Sequence, residues 1–178
     1  MAALPDQIDA LVFGEKQLAF RPRWNPDSNP RFFELVTPLV SDGVGVGGFE
    51  LRARVSKEHV SRDAMMQLEY APAGRKRVEL WRCCWKPFHV HTNKRWGPPG
   101  LEFARFEKVS HHHSFADNWV ESEARMRIGS LPAARLINPD PPTLSDFIAF
   151  CGECFKINNI DLIEVPSRNV DMFWIPDD

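Results

Sequence analysis

The chain has 178 residues, 43% of them hydrophobic and 26% charged, which suits one ordinary domain with its own apolar core. A formal charge of −2 gives no global attraction to polyanions or membranes, and no run approaches the roughly 18 apolar residues of a membrane-spanning helix. The first residues include Asp6 and Asp9 and lack the basic and apolar regions of a secretory leader, so a cytoplasmic protein is expected.

Leu4, Ile8, Leu11 and Val12 recur at helical spacing, with Leu18 a further turn on, and Pro5 suits a first turn; the pattern predicts a short N-terminal helix. Arg21 to Arg31 is punctuated by Pro22, Pro26 and Pro30 and reads as an extended loop. From Phe32 the period becomes that of strands. One strand covers Phe32 to Val40, and the glycine-rich Ser41 to Gly48 reads as a hairpin turn. It lacks both the helix-opening glycine pattern of a dinucleotide site and the Gly-Lys-Ser/Thr of a phosphate loop. Phe49, Leu51, Ala53 and Val55 then alternate with Glu50, Arg52 and Arg54, the mark of a half-buried strand. Further strands are predicted through Met66, Leu68 and Tyr70, over Val78 to Trp85, Phe88 to Thr92 and Leu101 to Phe106, with Phe103 and Trp81 assigned to the core.

Late in the chain, Leu144, Phe147, Ile148, Cys151, Cys154 and Phe155 form one helical stripe. Thr143 and Asp146 make a capping box at its start. Leu162 to Val165 and Asp171 to Trp174 read as final short strands. Together these give an α+β fold: a mainly antiparallel sheet packed by an N-terminal helix and one amphipathic C-terminal helix, in a single domain.

The four cysteines fit the apolar faces of these elements. Cys83 and Cys84 are adjacent and point to opposite sides of a strand, which favours free thiols and a reducing compartment over disulfides. Cys151 and Cys154 lie on the buried stripe, where small thiols pack well; their spacing is also that of a metal or redox pair.

Charge and histidine are unevenly distributed. Arg75 to His113 carries nine Lys or Arg against three Glu, a net +6 that leaves −8 for the rest, and it holds five of the six histidines. In extended chain His89 and His91 share a face, as do His111 and His113, so four imidazoles converge if the two segments meet. Imidazole titrates near neutral pH, so a pair of these rings, His89 and His113 first among them, can act as base and acid in cleaving RNA without a metal or other cofactor. Arg82 would clamp phosphate, and Lys86, Lys94, Arg95 and the stacking ring of Trp96 would bind substrate. Alternatively, two or three neutral imidazoles hold a transition metal with Asp117 or Glu121 as ligand or orienting group. A third reading is of exposed histidines without chemistry, in a non-enzymatic protein whose basic patch binds an acidic protein or nucleic acid.

Leu80-Trp81-Arg82, Pro87-Phe88-His89 and His111-His112-His113 resemble, in order, the segments of TumE-like toxins of bacterial toxin-antitoxin systems. The resemblance implies a small sheet-and-helix fold, nuclease activity on RNA and a cognate antitoxin as partner.

Overall fold

The computed structural model describes residues 8–41, 43–71, 73–74 and 76–167, and its fold is α+β with a mainly antiparallel sheet. In chain order the elements are α1 (Ile8–Phe13), β1 (Gln17–Leu18), β2 (Phe32–Ser41), β3 (Val44–Ser56), β4 (Ala64–Tyr70), β5 (Val78–Trp85), β6 (Val90–Thr92), β7 (Arg105–Glu107), β8 (His111–His113), α2 (Phe115–Asn118), β9 (Trp119–Val120), β10 (Arg125–Met126), β11 (Arg135–Leu136) and α3 (Leu144–Phe155). Seven strands form the main sheet in the order β1-β2-β3-β4-β5-β8-β11; β6 with β7, and β9 with β10, make separate two-stranded ribbons. No helix among the described residues is long and apolar enough to cross a membrane.

The long β2–β3 hairpin turns more tightly than its glycine content suggests, with Ser41 already opposite Val44. Gly43 takes φ +73, a conformation that costs glycine little, and Gly45 and Gly47 are strand residues. Leu51, Ala53 and Val55 of β3 and Met66 and Leu68 of β4 are buried toward α3, as alternation requires.

α3 covers this face. The Thr143 hydroxyl accepts from the Asp146 amide and the Asp146 carboxylate accepts from the Thr143 amide, so the expected capping box forms. Trp85 stacks on Phe147 at 6.0 Å and donates its Nε1–H to the Pro141 carbonyl at 2.8 Å. Cys83 lies in thiol contact with Cys151 and Cys154; burial pushes the Cys83 and Cys151 thiols up, and the hydrogen bond with Cys83, with burial after it, pushes Cys154 up; the cysteines are free. At the far edge the buried Lys16 Nζ donates to the Val12 and Gly14 carbonyls and closes the end of α1. Desolvation brings its pKa down to about 8.

Several sequence expectations are corrected. Leu18 belongs to β1 and not to a helix, which ends at Phe13 once Gly14 intervenes. Only Val90–Thr92 of the Phe88 to Thr92 run is strand, and of Leu101 to Phe106 only the end, because the Gly97-Pro98-Pro99-Gly100 turn continues to Ala104. Phe103 is consequently 68% exposed, whereas Trp81 packs against the core as expected. Leu162 to Val165 is not a strand: Ile160–Leu162 is a 3-10 turn that folds back on α3. Asp171 to Trp174 lies outside the described residues.

That back-folded turn explains the glycine inside α3. A Cβ at Gly152 would stand 2.8 Å from Ile160 Cβ and closer still to its Cγ2. Alanine is the better helix former by about 1 kcal/mol, yet overpacking of this kind costs roughly 1–3 kcal/mol. Gly152→Ala should therefore lower stability in urea unfolding. Combined with Ile160→Ala it should cost less than the sum of the two single changes.

Candidate functional site

The registers between strands assemble the site on the face of the sheet away from α3. β5 pairs with β8 as Arg82↔His113, Cys83↔His112 and Cys84↔His111. Alternation then sends Arg82, Cys84, His111 and His113 to the open face and sends Cys83 and His112 to the α3 face, where His112 meets Phe150 and Trp81. The same rows continue across the sheet. Glu34, Arg54, Met65, Cys84 and His111 are successive partners, and so are Arg52, Gln67, Arg82 and His113. All of them except His111 and His113 line a cleft of about 500 Å³ that also includes Arg77, Glu79, His89, His91 and Ser130.

The β6–β7 ribbon folds over one end of this face. Ring centroids lie 4.6 Å apart for His91 and His113, 5.1 Å for His111 and His113, 5.4 Å for His91 and His111, and 6.2 Å for His89 and His111. All four imidazoles thus gather, although their segments are not directly paired: β6 is carried in by β7. Phe106, buried beside His91 and His111, closes the back of the cluster.

Two buried asparagines hold the scaffold. The Asn93 Nδ2 donates to the Ala134 and Leu101 carbonyls, and its Oδ1 accepts from the Ala134 amide and contacts His91 Nε2 at 3.1 Å. Asn118 treats Ala133 in the same way, donating to its carbonyl and accepting from its amide, both at 2.9 Å. Between them they fix the segment whose Leu131 carbonyl, 2.6 Å from His113 Nδ1, accepts its proton. The His111 Nδ1 similarly faces the Val109 carbonyl at 2.8 Å. Each of these carbonyls can only accept, so both rings carry hydrogen on Nδ1 and present Nε2 as a lone pair.

Burial determines the charge of the cluster. Desolvation brings His111 down to about 4 and holds His113 well below the ordinary imidazole range, with the Arg82 cation adding to both. Desolvation also lowers His89, His91 and His112. The arginines are distributed among partners. Arg52 and Arg77 pair with the fully buried Glu69 at 3.0 and 3.3 Å, and Glu69 also accepts from Gln67 at 2.7 Å. Arg82 pairs with Glu79 at 3.5 Å and donates to the Ser130 carbonyl, while Arg54 lies over the Phe32 ring at 4.9 Å.

The other expected site residues lie elsewhere. Lys86, Lys94, Arg95 and Trp96 do not line the cleft. Lys86 sits over Trp85 and reaches the Pro142 carbonyl; Lys94, Arg95 and Trp96 form an exposed turn at the end of the ribbon, where the Arg95 guanidinium stacks on Trp96. Asp117 is taken by Arg135 in a two-pronged pair at 2.8 and 2.9 Å. Burial pulls its pKa up, but bonds from Arg135 and Ser114 outweigh that and hold it below the ordinary carboxylate value. Glu121 is exposed. The charged and amide residues of the cleft not singled out from sequence are Glu34, Arg52, Arg54, Gln67, Arg77 and Glu79; the signal for Arg52 and Arg54 was their alternation with Leu51, Ala53 and Val55.

Two sets of side chains have ligand atoms within 4.8 Å of one another, near enough to gather around one metal ion: His91, His111 and His113, and separately Cys84, His89 and His111. Comparison of the chain with protein-family models, curated proteins and solved structures finds no match.

Neutral buried imidazoles make the fold acid-labile. Their folded-state pKa values lie below the unfolded 6.5, so the unfolded chain takes up protons first as pH falls. The contribution is complete above about pH 6.5 and is lost progressively toward pH 4. At about 1.4 kcal/mol per pH unit, His111 alone withdraws about 3 kcal/mol. In chelator-containing buffer the melting temperature should fall steadily across this window, and His111→Phe should flatten the fall. An unchanged melting temperature from pH 7 to 4.5 would contradict the burial of these rings.

Proposed function

We propose that the chain is a small toxin-like RNA-cleaving protein whose substrate lies along the open face of the sheet. The supporting observation is the cleft itself: Arg52, Arg54, Arg77 and Arg82, opposed by Glu34 and Glu79, share one concave surface with the imidazoles of His89 and His91. Guanidinium groups held by carboxylate and aromatic partners are preorganised to take phosphate oxygens in forked pairs. An imidazole beside them supplies the proton transfer that cleavage needs.

RNA carries its own nucleophile. In this reading the 2′-oxygen bonds to phosphorus as its proton passes to the neutral His89 ring. The bond from phosphorus to the 5′-oxygen then breaks, and the departing oxygen recovers that proton from the imidazolium. Arg54 and Arg82 stabilise the charge on the phosphorane oxygens. The products are a 2′,3′-cyclic phosphate and a free 5′-hydroxyl. His113, only 1% exposed, supports His91 from behind. An acidic protein of antitoxin type would find in the same arginines its natural contact.

The test uses labelled single-stranded RNA. Affinity should fall steeply with salt, because phosphate contacts release counterions, and Arg54→Ala should weaken binding and reduce the salt slope by about one. His89→Ala should melt like the parent, the ring being exposed, and should cleave about 10²–10⁴ times more slowly. RNA bound but not cleaved would identify a non-enzymatic binding protein. Absence of binding at low salt would remove RNA as the ligand altogether.

A further inference from the structure

Independently of what occupies the cleft, the geometry points to a zinc site formed by His91, His111 and His113. Three arguments converge on it. The first is distance: one ring nitrogen of each residue lies within 4.8 Å of the others. Nitrogens bound at about 2.0–2.1 Å to a tetrahedral zinc stand roughly 3.4 Å apart. His91, the half-buried member on the short ribbon, is the ring whose rotation would draw the set toward that spacing.

The second argument is the outer shell. Ligand histidines characteristically donate their second N–H to a carbonyl or carboxamide oxygen, which fixes the tautomer and directs the lone pair at the metal. His111 and His113 do this through the Val109 and Leu131 carbonyls. For His91 one acceptor is Asn93 Oδ1, since the Nδ2 of that amide is committed to two carbonyls and its Oδ1 already accepts from Ala134; the ring also meets the Pro132 carbonyl, a contact that metal binding would replace. Three side chains from two separate strands have each turned one nitrogen to an oxygen.

The third argument is an unmatched polar atom. Among the described residues the buried His111 Nε2 has no hydrogen-bond partner, although an orphaned buried acceptor costs about 1–3 kcal/mol. It belongs to both candidate sets, and a metal would satisfy it. The three-imidazole set is preferred because each of its rings turns one nitrogen to an oxygen acceptor, an outer shell that His89 of the other set does not show among the described residues. Three neutral ligands leave the charge of the ion uncompensated, so the fourth position takes an anion such as hydroxide or a phosphate oxygen, a group the neighbouring Arg82 also attracts.

The full chain is stripped with chelator, dialysed into metal-free buffer and titrated with Co²⁺ as a spectroscopic substitute for Zn²⁺. Visible d–d absorption should saturate at one ion per chain without a near-ultraviolet thiolate band, and Zn²⁺ should displace it. His91→Gln changes only a half-buried ring and should weaken uptake by more than about 100-fold, beyond what loss of an outer-shell partner causes. Cys154→Ala should leave uptake unchanged. Because His111 and His113 variants can misfold, the parent provides the deciding measurement: if stripped chain with native circular dichroism takes up neither ion, the site does not exist. A thiolate band, or unchanged uptake by His91→Gln, would overturn the three-imidazole assignment. None of these outcomes depends on RNA cleavage.

Discussion

Everything on the open face depends on the pairing of β5 with β8. Three residue pairs place Arg82 beside His113 and Cys84 beside His111, and a slip of one residue would send those histidines into α3 and bring His112 out. What prevents the slip is the opposite face. Cys83 sits against the thiols of α3 and Trp85 against Phe147, so the apolar packing on one side sets the polar arrangement on the other. The chemistry is thus a by-product of core packing one pleat away.

Much of the sheet was readable in the residues because its cause is local. The alternation of Leu51, Ala53 and Val55 with Arg52 and Arg54 specifies β3, and Thr143 with Asp146 specifies the start of α3 whatever the rest of the chain does. The short elements were not readable in this way. Leu101 to Phe106 has strand composition, but the Asn93 Nδ2 donates to the Leu101 carbonyl and the Asn93 backbone N–H to the Ala104 carbonyl, holding a turn that the Ala104 amide closes on Leu101, and that asparagine lies outside the run. Ile160 to Leu162 has strand-like residues that are instead drawn under α3 by the absence of a side chain at Gly152.

The site was half legible. Period-two spacing was enough to place His89 with His91 and His111 with His113. That the pairs would meet depended on β7 and on the two asparagines, which carry no sequence signature of function. The basic segment was a less faithful guide. Lys86, Lys94 and Arg95 are near the histidines in sequence but face other surfaces, while Arg52 and Arg54, outside that segment, line the cleft, because adjacency across strands is set by register and not by distance along the chain.

The two asparagines have a further consequence. A carboxamide presents one donor edge and one acceptor, as a peptide group does, so Asn93 and Asn118 each add a rung of ladder where no strand is available, one to Ala134 and one to Ala133. Aspartate offers no donor, leucine offers neither, and glutamine reaches too far for the same geometry. Mutational drift can exchange most apolar residues around the histidines for others of similar volume, but at these two positions the genetic code holds no synonym for what the side chain does.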